Sequence, residues 1–148
     1  MRTFGYDKLV KDGVLDGMFK DGSIPDWRRL DDDREFREKL ELKFLEEMRE
    51  ARVSNYDADE VADVMIVTDW LFGLSLTAKV DFWQGFAQEV EVECMLNWSQ
   101  LEAVKRGRLR AFGGYSYRAY VKTVSVRDDN LWIQHYLAFP DLYPEITT

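Results

Sequence analysis

The chain has 148 residues, enough for one domain with a hydrophobic core, and its 46% hydrophobic and 32% charged residues leave no sign of disorder. Its formal net charge of −8 argues against coating a nucleic-acid polymer, although a free nucleotide neutralised by a metal ion is still allowed. The most apolar stretch, Val64 to Leu76, is interrupted by Asp69 and Gly73 and is too short to span a membrane. The opening residues lack the apolar core of a secretory signal, and the single Cys94 cannot form an internal disulfide, so a cytoplasmic protein is expected.

In chain order, residues 1–30 read as a turn-rich segment, broken at Asp12-Gly13, Asp16-Gly17, Asp21-Gly22 and Ile24-Pro25. The run Leu30-Asp31-Asp32-Asp33 supplies capping acids for a first long helix over 32–52. A polar turn over 54–57 leads to a second helix over 58–72. After a break around Gly73, a third helix is expected over 78–105, completing a helical core over 32–105. Between Ala103 and Arg127 there is no acidic residue, yet Lys105, Arg106, Arg108, Arg110, Arg118, Lys122 and Arg127 all fall there. Residues 112–138 read as an appended β-hairpin, with strands over 115–126 and 131–137 about a turn at Arg127-Asp128-Asp129-Asn130. The expected fold is therefore a single domain over 1–148, mainly α, an antiparallel helical bundle with a C-terminal β-hairpin.

Helical spacing puts Phe36, Leu40 and Phe44 of the first helix on one face, with Glu47 and Glu50 projecting beside them and Glu46 turned toward solvent. In the second helix Glu60 and Asp63 lie beside the apolar side formed by Val61, Val64, Met65, Leu71 and Phe72, while Asp69 falls on another face. Each helix thus carries an inward pair of acids at i, i+3. Buried carboxylates repel one another and resist ionisation unless cations sit between them. Magnesium, a hard ion that takes oxygen ligands and bridges phosphates, fits such a cluster, and manganese can take its place. The same spacing also describes ordinary solvated acids on a helix surface. In the third helix Asn97 falls inside an apolar stripe of Trp83, Phe86, Ala87, Val90, Cys94 and Leu101. Facing the acids, its amide could bind a metal-held water, a phosphate oxygen or a carboxylate. His135, the only histidine, offers no ligand constellation. The Arg110–Arg118 stretch reads either as a base-stacking, phosphate-holding loop or as a loop whose Tyr rings cover the bundle.

Glu47-Met48-Arg49-Glu50 followed by Glu60-Val61-Ala62-Asp63 resembles the ExxE…ExxD signature of the all-α nucleoside triphosphate pyrophosphatases related to MazG. The opening Tyr6-Asp7-Lys8-Leu9-Val10-Lys11-Asp12 resembles the YDKLVRDKI start of one small-protein branch, as does the lead-in Leu30 to Leu40, so the likeness covers residues 4 to about 76. The chain departs from the branch over Lys11-Asp12-Gly13-Val14-Leu15, where Arg and then Lys-Ile-Pro are usual. It departs again at Gln100 of Asn97-Trp98-Ser99-Gln100, where some relatives carry Lys.

The resemblance implies a helical bundle, assembled as a dimer or a dimer of dimers, that binds magnesium through Glu47, Glu50, Glu60 and Asp63. It implies hydrolysis of a nucleoside triphosphate, noncanonical in some relatives, to the monophosphate and pyrophosphate, with Lys8 and Lys11 as candidates for contacting phosphates. One of the acids, with Glu47 the first candidate, would also orient the attacking water. The third helix's broad apolar stripe is a second reason to expect a homodimer. The rival expectation is a non-catalytic assembly protein on the same scaffold, recognising a nucleotide or partner through its basic hairpin.

Overall fold

A computed structural model describes residues 2–23, 25–73 and 76–126, and the fold turns on one helix at its centre. Every residue from Val61 to Thr68 is buried, so this helix has no solvent face over two turns. It is α3 (Ala58–Phe72), preceded by β1 (Arg2–Leu9), α1 (Asp12–Lys20), β2 (Trp27–Arg29) and α2 (Asp33–Val53), and followed by α4 (Leu76–Glu93), α5 (Trp98–Phe112) and β3 (Arg118–Val126). The described chain is mainly helical with a small three-stranded sheet.

The α2–α3 hairpin forms as its sequence directs. Asp32 caps α2, its side chain accepting from the Glu35 backbone N–H at 2.9 Å, and Asp57 caps α3 by accepting from Asp59 at 3.3 Å. Two apolar clusters wrap the hairpin. In the first, Leu40, Ile66, Val67 and Leu71 pack with Leu9, Leu30, Tyr115 and Ala119 from the sheet and its approaches. In the second, Met48, Ala51, Val61, Val64 and Met65 pack with Phe86, Val90 and Leu101 from α4 and α5. Phe44 touches both, so α2 and α3 are held between the sheet on one side and the last two helices on the other.

Three expectations change. Residues 1–30 are not merely turns: they carry β1, α1 and β2, because Gly13 and Gly17 are tolerated within α1 and Lys8 to Lys11 lead an extended strand directly into it. The strand expected over 115–126 exists from Arg118, but it is the central strand of a sheet ordered β1-β3-β2, antiparallel to both neighbours. Leu9 lies opposite Ala119 and Arg2 opposite Val126 along one edge, and Trp27 opposite Tyr120 along the other. The partner strand expected over 131–137, and His135 with it, lies outside the described residues.

The long third helix is two helices. Asn97 caps α5, its side chain accepting from the Gln100 N–H at 2.9 Å while the Gln100 side chain accepts from the Asn97 N–H at 2.9 Å. This reciprocal box satisfies helix-end donors locally and so starts a new helix where a periodic reading runs through. Asn97 is consequently exposed at a helix start rather than inside the apolar stripe. Phe86, Val90 and Leu101 of that stripe are buried within the chain itself, while Trp83, Ala87 and Cys94 are half-buried.

Candidate metal centre

The α2–α3 hairpin brings three of the four expected acids together. One carboxylate oxygen from each of Glu47, Glu60 and Asp63 lies within 4.8 Å of the others. Glu47 and Asp63 are buried and Glu60 is half-buried. Glu50 stands beside this triad rather than in it, its carboxyl interacting with those of Glu47 and Glu60.

The electrostatics follow from crowding and burial. Burial lifts the Glu47 carboxyl from 4.5 to about 7 against the pull of Lys43, with the Glu50 and Asp63 charges adding to the rise. Burial likewise raises Glu50, helped by Glu46, and raises Glu60, helped by Glu47. The Oε2 atoms of Glu47 and Glu60 are buried without a hydrogen-bond partner among the described residues, as is the hydroxyl of Tyr115. Two unused carboxylate acceptors at one place are rare in a folded interior and are the arrangement a cation would satisfy.

A ring of cations surrounds the acids. Lys43 Nζ pairs with Glu47 at 3.1 Å and with Glu46 at 3.4 Å. Burial opposes its charge, but the Glu46 and Glu47 carboxylates outweigh burial and raise the Lys43 pKa. Lys8, at the end of β1, pairs with Glu46. Burial alone would push Glu46 up, yet Lys43 and Lys8 hold it below the usual carboxylate range. Glu46 therefore does not face solvent as its wheel position indicates: β1 lays Lys8 against that side of α2. Lys11, buried at the N-cap of α1, pairs with Asp63. Arg108 of α5 also grips Asp63, its Nε donating to Oδ1 at 2.7 Å and Nη2 to Oδ2 at 2.9 Å.

Lys8 and Lys11, the candidates for phosphate contact, are each held by a carboxylate, Lys8 by Glu46 and Lys11 by Asp63 of the triad. Asn97 has its side-chain carbonyl committed to the α5 cap. Asp69, on its separate face, pairs with Lys105 at 2.9 Å. The Arg110–Arg118 stretch follows the plainer of its two readings. Tyr115 is buried in the core, Tyr117 stacks on Phe36 at 4.6 Å, and Arg118 pairs with Asp12 and Asp16 of α1. Three site residues escape the sequence reading. Lys43 could have been found from its i, i+4 relation to Glu47 and Arg108 from the acid-free basic stretch. Tyr115 follows α5 with no periodicity to mark it.

Compared with known proteins, the chain matches no family model, no curated protein and no solved structure.

Proposed function

We propose that the protein is a magnesium-dependent nucleoside triphosphate pyrophosphohydrolase, cleaving between the α and β phosphates to give the monophosphate and pyrophosphate. The observation that carries this reading is the pair of buried, unpartnered carboxylate oxygens on Glu47 and Glu60 within a triad of acids that cations border. The donor set fits the ion, since carboxylate oxygens are what magnesium and manganese prefer. Glu47, Glu60 and Asp63 would hold it, with Glu50 adjoining. When bound, such an ion polarises a phosphate oxygen and lowers the pKa of water.

The chain's own residues supply the rest. One of the acids, with Glu47 the first candidate, orients the attacking water and accepts its proton. Lys8, Lys11 and Arg108 supply the positive charge that a triphosphate needs, and an acid site with no bases around it would repel that substrate. Tyr115, whose phenol burial pushes up and so keeps protonated, presents a hydroxyl hydrogen to the same buried space. The α2–α3 hairpin is then the catalytic hairpin of an all-α nucleoside triphosphate pyrophosphatase, and a homodimer is the assembly that goes with it.

Incubating the protein with a panel of nucleoside triphosphates, with and without magnesium, tests this directly. Pyrophosphate and the matching monophosphate should appear only with the metal. Phosphate release alone, or no release from any triphosphate, refutes the reading.

A further inference from the structure

The acids of the cluster are not equivalent. Glu47 and Glu60 each keep a buried oxygen without a partner, whereas both oxygens of Asp63 are taken. Lys11 and Arg108 Nε share Oδ1, and Arg108 Nη2 takes Oδ2, so most of the carboxylate's acceptor positions are filled. A fork of this kind is among the strongest side-chain contacts and fixes orientation as well as energy. The two cations also share a platform. The Phe112 ring lies 5.6 Å from Lys11 Nζ and 5.2 Å from the Arg108 guanidinium carbon, which holds both at the cluster by attraction to the ring face. Yet Asp63 belongs to the triad whose oxygens converge within 4.8 Å. A dication arriving there meets two positive charges already seated on one of its ligands.

We propose that Arg108 and Lys11 are a transferable counter-charge: they neutralise Asp63 in the metal-free protein, release it to a divalent ion, and turn to the phosphates of a polyphosphate ligand. Metal and polyphosphate then bind as a unit. The ion alone has to displace cations that gain nothing in return, and the anion alone meets cations that are already paired. Together they exchange partners, the ion taking Asp63 and the phosphates taking Arg108 and Lys11. The exchange rests on the proposed metal centre, and adds Arg108 as a binding residue for the anion and Asp63 as the point of transfer.

Calorimetric titrations with magnesium alone and with preformed magnesium pyrophosphate, on the full chain and on Arg108→Met, read the two halves separately. Methionine keeps an unbranched stem and leaves Lys11 to neutralise Asp63. Arg108→Met should bind magnesium alone roughly tenfold more tightly and magnesium pyrophosphate at least roughly tenfold more weakly, a coupling of the usual size between linked sites. Opposite signs are the signature. A variant that weakens both, or leaves magnesium binding unchanged, overturns the exchange while leaving the metal centre standing. Magnesium binding absent from both proteins brings down the metal centre as well. If circular dichroism shows Arg108→Met unfolded, Arg108→Lys keeps the charge without the fork. It should show the same two signs at smaller size, and two equal signs refute the proposal.

Discussion

At the scale of single residues, Glu47 carries the most consequence. Its folded carboxyl titrates at about 7 against an ordinary 4.5, so across that window the folded state holds a proton that the unfolded state has lost. Glu47 therefore contributes a loss of stability to the metal-free protein as pH rises from 4.5 to about 7, and Glu50 and Glu60, raised in the same direction, add to it. Glu47→Gln removes the penalty. Above about pH 7.5, without metal, the variant should be more stable than the parent by up to about 3 kcal/mol, since each tenfold change in proton affinity is worth about 1.36 kcal/mol. The same change should abolish pyrophosphate release. Denaturant melts at about pH 5 and about pH 8 check the first half, where an unchanged pH slope in the variant contradicts the burial account. Full turnover by the folded variant contradicts the second.

At the scale of elements, helix existence was legible wherever acids and apolar residues repeat. The second helix is found over the expected 58–72, and the first begins and ends one residue later than expected. What periodicity cannot reveal is a local hydrogen bond that outweighs it. Asn97 and Gln100 form the reciprocal cap at which α5 begins, within the stretch expected to be one continuous helix. Asn97→Ala should cost about 1 kcal/mol of stability, the usual worth of such a cap, and leave magnesium binding alone. A loss of magnesium affinity instead would show that its amide serves the site.

The glycine at position 13 has a physical reason. A Cβ there would sit 2.6 Å from the Phe112 carbonyl oxygen, and Asp12 donates its N–H to Gly114 O at 2.8 Å just beside it. Close approach of α1 to the end of α5 is what seats Lys11 over Phe112 and against Asp63. Gly13→Ala must push α1 away and should weaken binding of magnesium pyrophosphate, though Lys11 itself is unchanged. Affinity equal to the parent's would refute this coupling of α1 to the site.

At the scale of the molecule, the acids could be anticipated, and Lys8 and Lys11 were named through the resemblance, but the pairings around the acids could not be. Glu47, Glu60 and Asp63 converge because two neighbouring helices carry them on matching faces, and that follows from spacing. Lys8, Lys11, Arg108 and Tyr115 reach the same place from β1, α1, α5 and the segment after it, through pairings that no local pattern encodes. Because the acids are destabilising when unfilled, a bound ion should act on the whole fold. Millimolar magnesium should raise the melting temperature near neutral pH, and chelator should reverse it, since a ligand of the native state shifts unfolding by mass action. The rise should shrink toward about pH 5, where Glu47 is protonated. A melting curve indifferent to magnesium at about pH 7.5 would count against a preformed site.

The order of the sheet also sets an order in time. Both neighbours of β3 come from the first thirty residues, so every ladder in the sheet spans most of the described chain, whereas α2 and α3 meet across a turn of a few residues. Short loops close before long ones, so the helical hairpin should form first and bring its acids together before Lys8, Lys11 and Arg108 can arrive. The early species would carry a cluster of negative charge that, of the site's cations, Lys43 alone offsets, so the acids either stay protonated or recruit a divalent ion from solution. Pulse-labelled hydrogen exchange during refolding should find α2 and α3 protected ahead of β1 and β3, with magnesium speeding that early step; simultaneous protection of hairpin and sheet would overturn the sequence of events. An ion of this kind would then serve the protein twice, as an escort for the folding chain before it serves as a reagent.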